Sequence, residues 1–167
     1  TSASSPAMVD IGTLGGNWSR AKSINNNGVI VGHYENVNGD DRSFYYDTSA
    51  SSPAMVDIGT LGGNWIWAND VNDWGIIVGG GENQLGETHF FTYDITSNII
   101  IDEGTPSGHD SAIAYAISEK TGSDQYIVGR SVLGGNDNGF YEFAAGIPTV
   151  GHFPGGNHTE ANDIGLK

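Results

Sequence analysis

The first eighteen residues of the chain, TSASSPAMVDIGTLGGNW, occur again without a single change as residues 48–65. An exact duplication of this length predicts that the same structural unit is used more than once. The aspartate of the VDIG motif gives the period, because Asp10, Asp57 and Asp102 recur at spacings of 47 and 45 residues, and a degenerate copy follows at Gly151. Periods of this size are typical of propeller blades or solenoid coils.

Each period contains four segments with the composition of a β-strand. The first ends in a turn rich in Asn, Asp and Gly, and the second is continuously apolar, which is typical of a strand buried on both faces. The third alternates aromatic residues, and the fourth carries the VDIG motif. The predicted strands are 8–11, then 21–25, 29–32, 44–46 and 55–58, then 68–72, 76–79, 91–93 and 100–103, then 114–118, 126–129 and 141–143, and finally 161–164.

These segments predict an all-β fold of tandem four-stranded repeats of about 45–50 residues, β-propeller-like, with about three blades and a partial blade at each end. The single repeat domain divides into residues 1–18 (partial), 19–65, 66–110, 111–157 and 158–167 (partial). A helix over residues 111–120 is the competing interpretation, because Ala and Glu are frequent there. The repeat register favours a strand, since the matching segments are too rich in Asn and Gly for a helix.

The charge and the missing cysteines exclude several classes of function. The formal net charge of −14 argues against nucleic acid and anionic membranes as partners, because both require a basic surface. With no cysteine, the chain has no disulfide, thiol nucleophile or thiolate metal site. The longest strongly apolar run, at residues 99–101, is too short to insert into a bilayer. No signal peptide is visible, which leaves a processed chain or a fragment open.

The repeated motifs resemble those of the HAF family of extracellular repeats. That family's pattern is approximately D-x-G-T-L-G-G, then S-x-A-x-x-I-N-x-x-G-x-V-V-G, then H-A-F and an aromatic strand. The matching positions are 10–16, Ser19, Ala21, Ile24, Asn25, Gly28, Val31 and Gly32 in the first unit, and 57–63, Ala68, Val71, Asn72, Gly75, Val78 and Gly79 in the second. Among the three units, only the second keeps the histidine of the H-A-F triplet, as His89. The resemblance implies a secreted or surface-anchored bacterial protein with a propeller-like fold, and it implies no established activity.

Three loops combine Asp, Asn and Gly in the way that calcium sites do. Ca²⁺ prefers several oxygen ligands on a tight loop, and residues 36–41, 70–75 and 135–139 supply such ligands. None of them has EF-hand spacing, so ordinary turns are the alternative. The candidate Ca²⁺ ligands are Asp40, Asp41, Asp70, Asp73 and Asp137.

Four tryptophans lie beside Gly- and Asn-rich corners. An exposed Trp next to polar amides is a common element of carbohydrate sites. Trp18 and Trp65 occupy equivalent repeat positions, which predicts packing residues at the interface between blades. Trp67 and Trp74 break the repeat pattern, and they are the candidate ligand-binding residues.

No catalytic residues are predicted. The adjacent His109, Asp110 and Ser111 cannot form a relay, and the five histidines lack zinc spacing. The sequence therefore predicts a non-enzymatic extracellular or cell-surface protein, acting as a structural or adhesive matrix module. Alternatives are a lectin-like propeller that binds carbohydrate or another ligand, and a fragment of a larger secreted propeller enzyme. The predicted partners are extracellular glycans and other copies or neighbouring repeats, which would pair through open blade edges such as residues 8–12 and 161–164.

Overall fold

In a computed structural model, residues 8–119 and 125–143 are described, and these form eleven β-strands and no helix. The strands build three antiparallel sheets, here called sheets I, II and III. Sheet I contains β1 (Ser19–Ile24), β2 (Val29–Glu35), β3 (Asp41–Asp47) and β4 (Met55–Asp57). Sheet II contains β5 (Gly62–Val71), β6 (Ile76–Asn83), β7 (Thr88–Asp94) and β8 (Ile99–Gly104). Sheet III contains β9 (Ser111–Ile117), β10 (Tyr126–Leu133) and β11 (Asn136–Phe143).

Within each sheet the strands follow chain order, so every described pairing joins neighbours along the sequence. The predicted all-β class is confirmed, and residues 111–117 form a strand rather than the alternative helix. The predicted strand at residues 8–11 is wrong, because that segment is irregular in the structure. The predicted strand at residues 161–164 lies outside the described residues.

The three sheets pack face to face, with sheet II in the middle. Between sheets I and II, Val31 lies against Ile77 and Phe91, and all three side chains are completely buried. Between sheets II and III, Val78 and Phe90 pack against residues of β9, β10 and β11. The second strand of each sheet therefore has an apolar residue on both faces, as its uninterrupted apolar sequence predicts.

Two recurring motifs form the corners. The side-chain oxygen of Asn25 accepts hydrogen bonds from the backbone N–H groups of Asn27 and Val29, and so fixes the turn between β1 and β2. In each D-x-G motif the carboxylate accepts a hydrogen bond from the glycine N–H, as Asp57 does from Gly59 at 2.6 Å. Gly59 has a φ of +85°, a conformation that residues with a β-carbon rarely adopt. The repeated Asn and Asp residues are thus turn-forming residues.

The strands are short and the connections polar, and none of the described residues belongs to a helix able to cross a membrane.

Candidate functional site

The first strand of each sheet carries a β-bulge at the same repeat position. In β1, Ala21 and Ser23 pair with consecutive residues of β2, which leaves Lys22 as the extra residue. Asn69 is the extra residue of β5, and Tyr115 is that of β9. A bulge changes the direction in which a strand projects its side chains. All three extra residues line one cleft.

A glycine in each second strand makes room for this bulge. A β-carbon on Gly79 would overlap the backbone carbonyl of Trp67, and one on Gly129 would overlap the carbonyl of Ile113. Gly32 stands in the same relation to the carbonyl of Arg20. The V-G pair that ends each apolar segment therefore has a specific role, which is to let the bulged strand approach closely.

The cleft has a volume of about 410 Å³ and lies where the three first strands meet. This volume is within the roughly 300–1,000 Å³ range of small-molecule sites. Its walls combine aromatic rings, basic groups and a side-chain amide. The lining residues are Trp18, Arg20, Lys22, His33, Asp41, Trp67, Asn69, Ile113, Tyr115 and Arg130.

The cleft concentrates positive charge on an acidic chain. It is lined by Arg20, Lys22 and Arg130, which are three of the six Lys and Arg residues in the whole sequence. The guanidinium of Arg130 pairs with Asp137 at 2.7 Å. Arg20 lies over the ring of Trp18, 5.0 Å from its centroid. Within residues 8–119 and 125–143, neither Arg20 nor Lys22 forms an ion pair. These two cations are available to an anionic ligand.

Aromatic rings form an adjoining wall. Trp67 is 38% exposed, and its indole N–H donates a hydrogen bond to the carboxylate of Asp41 at 3.1 Å. Its ring centroid lies 4.8 Å from that of Trp65 and 5.9 Å from that of His33. These contacts fix the position of the Trp67 ring. Ligand binding therefore does not incur the entropy cost of ordering this side chain.

His33 lines the cleft as a neutral side chain. Burial lowers its pKa from the ordinary value of 6.5 to about 4, and the positive charges of Lys22 and Arg20 act in the same direction against the raising effect of Asp41. Its Nδ1 atom is buried and has no hydrogen-bond partner among the described residues. The imidazole of His33 is therefore a polar but uncharged group beside Trp67 near neutral pH, and the positive charge of the cleft comes from Arg and Lys.

The structure separates the two predicted ligand-binding tryptophans. Trp67 lines the cleft, whereas Trp74 is 62% exposed in the turn between β5 and β6 and does not line it. Trp18 and Trp65, expected to be packing residues, are both half-buried, and Trp18 also lines the cleft.

The five predicted calcium ligands are dispersed, and each accepts hydrogen bonds or pairs with a base. Asp70 accepts from the hydroxyl of Ser23 and the N–H of Ile117, and Asp73 accepts from both nitrogens of Asn26. The remaining contacts are Asp40 with Asn36 and Arg42, Asp41 with Trp67, and Asp137 with Arg130. Among the described residues, no three His, Cys, Asp or Glu side chains are grouped to hold a metal ion. Calcium binding stays a prediction.

Sequence reasoning missed the basic residues and the bulged positions. One signal could have found them, because Lys22, Asn69 and Tyr115 each directly follow the repeated Ala, at a position where the residue type changes with every copy. No protein-family model and no curated protein matches the chain. The resemblance to the HAF repeats therefore rests on the motifs alone.

Proposed function

We propose that the chain is a non-enzymatic adhesive module of the cell exterior that binds an acidic saccharide in the cleft. One observation carries this proposal. Arg20, Lys22 and Arg130, which are half of the chain's Lys and Arg residues, line the same cleft as the indole rings of Trp18 and Trp67. An indole ring stacks on the apolar face of a sugar, and a cation beside it pairs with the carboxylate of a uronic acid.

The net charge of −14 favours a short acidic saccharide over a long polyanion. The net negative charge repels a nucleic acid or a densely sulfated polymer, whereas one or two carboxylated rings fit beside Arg20 and Lys22, the two cleft cations that form no ion pair among the described residues. The amide of Asn69 supplies neutral polarity for hydroxyl groups, although its Nδ2 already donates to the carbonyl of Ala114 at 2.8 Å.

A propeller-like arrangement is part of the same proposal. The first strand of each sheet faces the cleft and contacts the first strand of the next sheet, as the inner strands of blades do around a central channel. Equivalent turns of successive sheets are also linked by hydrogen bonds, which supports a tandem repeat of about 47 residues.

The direct test is calorimetric titration of the chain with trigalacturonic acid and with its uncharged methyl ester. We expect the acid to bind and the ester to bind at least about tenfold more weakly, because the ester keeps the stacking surface and loses the charge. Equal affinities, or no binding of either, would contradict the proposal.

Two tryptophan variants identify where the sugar binds. Trp67→Ala removes a ring from the cleft, and Trp74→Ala removes one exposed outside it. We expect the first to weaken trigalacturonate binding about tenfold or more and the second to leave it unchanged. Thermal unfolding of both variants checks that the fold persists. An equal loss of affinity in the two variants would indicate that trigalacturonate binds outside the cleft.

A structural role in an extracellular assembly is the second candidate function, and one observation favours it. One face of sheet I exposes apolar residues at positions that are buried in sheets II and III.

A further inference from the structure

The exposed face of sheet I, called here the outer face, is the surface opposite to the one that packs on sheet II. In sheets II and III, the equivalent repeat positions are buried between two packed sheets. Ile24 is 61% exposed, whereas its equivalents Val71 and Ile117 are 4% and 6% exposed. The outer face also carries Tyr34, Phe44 and Met55, which form a small buried cluster with Ile11 and Leu14 of the preceding segment. The open part of the outer face consists of Ser19, Ala21, Ile24, Ile30 and Tyr46.

Two further positions in the open part of the outer face show the same contrast. Ala21 is exposed, and its equivalents Ala68 and Ala114 are completely buried. Ile30 is half-buried, and its equivalent Ile77 is completely buried. An apolar groove of about 590 Å³ lies on this face, between Ala21 and Ile30 on one side and residues 8–11 on the other. The groove is rimmed by the fully exposed Met8 and by Val9.

The two interfaces inside the molecule show which surface fits such a face. The equivalent face of sheet II is covered by Val29, Val31 and Tyr45 of sheet I. On sheet III the strand pairing puts Tyr126, Val128 and Tyr141 in those three positions, since Val128 pairs with Tyr141 as Val31 pairs with Tyr45. Tyr141 is exposed. This second surface is called the presenting face of sheet III.

We propose that the outer face of sheet I docks the presenting face of sheet III of a second copy. The contact repeats the packing of sheet I on sheet II and continues an interface that the chain already forms twice. It joins two different surfaces, so each copy keeps one face of each kind, and the copies assemble head to tail into a ring or a filament. This inference does not depend on the saccharide cleft.

The test measures mass in solution by light scattering and sedimentation over a wide concentration range. Ile24→Asp places a charge on the outer face, and Tyr141→Asp places one on the presenting face. Leu85→Asp is the control, because Leu85 is an exposed apolar residue in the turn between β6 and β7. We expect the unmodified chain and Leu85→Asp to associate alike. Each face variant alone should associate at least about tenfold more weakly, because burying an unpaired charge is unfavourable.

Mixing the two face variants distinguishes the proposed contact from a symmetric one. Ile24→Asp retains an intact presenting face and Tyr141→Asp retains an intact outer face, so the mixture should form a 1:1 dimer that does not grow further. The proposal is overturned if the unmodified chain is monomeric throughout. It is also overturned if Tyr141→Asp still self-associates fully, which would indicate two outer faces in contact, or if the mixture stays monomeric. Far-ultraviolet circular dichroism confirms that each variant is folded.

Discussion

Asn25 and Asn72 occupy the same position in successive repeats and are joined directly, because the side-chain N–H of Asn25 donates to the backbone carbonyl of Asn72 at 2.8 Å. Asn72 repeats the contact toward Ser118, at 3.2 Å. The side-chain oxygen of each Asn is already used within its own turn. One residue type therefore closes a turn with its oxygen and links that turn to the next sheet with its nitrogen.

Replacing Asn72 should cost more stability than replacing an Asn that closes a turn only. Asn72→Ala removes the turn contacts and the link to Ser118 from a buried position, and we expect a loss of about 2–4 kcal/mol in the free energy of unfolding. Asn36→Ala removes the equivalent turn contacts at the β2–β3 corner. It should cost about 1 kcal/mol. Urea unfolding measures both, and equal losses would show that the inter-repeat link adds nothing.

Two glycines of β6 should differ in how much stability is lost when they are replaced by alanine. In Gly79→Ala the new methyl group meets the backbone of Trp67, which cannot move without opening the bulge. We expect a loss of about 3 kcal/mol. In Gly81→Ala it meets the Ile66 side chain at 3.1 Å, which small shifts relieve. That variant should lose about 1 kcal/mol or less. Unfolding curves test the difference, and comparable stabilities would contradict it.

His33 should titrate near pH 4 in the folded chain. Burial and the charges of Lys22 and Arg20 lower its pKa to about 4 from 6.5. The folded state therefore binds a proton less readily than the unfolded state, and the contribution of His33 to stability is present above pH 6.5 and is lost as the pH falls from 6.5 to 4. NMR titration of the imidazole carbon signals measures the midpoint, and a midpoint near 6.5 would contradict the prediction.

The pKa of His33 should change when a neighbouring charge is removed or added. In Lys22→Gln the loss of a positive charge should raise the His33 pKa, and in Asp41→Asn the loss of a negative charge should lower it. Bound trigalacturonate should raise it as well, because a carboxylate in the cleft favours the protonated ring. No change on saturation with trigalacturonate would place the sugar away from His33.

Binding of trigalacturonate should weaken with salt. Arg20 and Lys22 are exposed, so their attraction for a carboxylate is screened as the Debye length falls from about 30 Å at 0.01 M to about 3 Å at 1 M ionic strength. We expect the affinity measured by calorimetry to fall continuously over this range. The methyl ester is the control, and an equal dependence for acid and ester would exclude a role of the cations.

Calcium should leave the thermal stability unchanged. Asp70 and Asp73 accept hydrogen bonds that join neighbouring repeats, so metal coordination would replace existing contacts rather than fill an empty site. A melting curve with about 1 mM Ca²⁺, the affinity range of extracellular calcium modules, measures the effect. Mg²⁺ is the control ion, and an increase in Tm with Ca²⁺ alone would confirm that the chain binds calcium, as the sequence predicts.

The strands themselves were predictable from the sequence, with one instructive exception. The stretch MVDIG occurs at residues 8–12 and at 55–59, but only the second copy forms a strand, Met55–Asp57. The second copy pairs with Tyr46, Tyr45 and Phe44 of β3, and no described strand lies beside the first copy. An edge strand forms only when a neighbouring strand provides its hydrogen bonds. The local sequence does not show whether such a neighbouring strand is present.

The cleft could be predicted only in part. The sequence predicts Trp67 because this residue breaks the repeat, but the same reasoning does not select Arg20, Lys22 or Tyr115. Simple alternation along a strand assigns side chains to two faces, and a single bulge shifts that assignment for the following residues. The shift becomes visible only when the pairing of β1 with β2 is known.

The bulges also make the cleft modular. Lys22, Asn69 and Tyr115 are a cation, an amide and a phenol at one backbone position, and the glycine behind each of them is the same. The backbone at this position therefore accepts three different chemistries without a change of strand geometry. Exchanging these side chains in combination would generate a library of clefts on a constant scaffold, with one variable site contributed by every repeat.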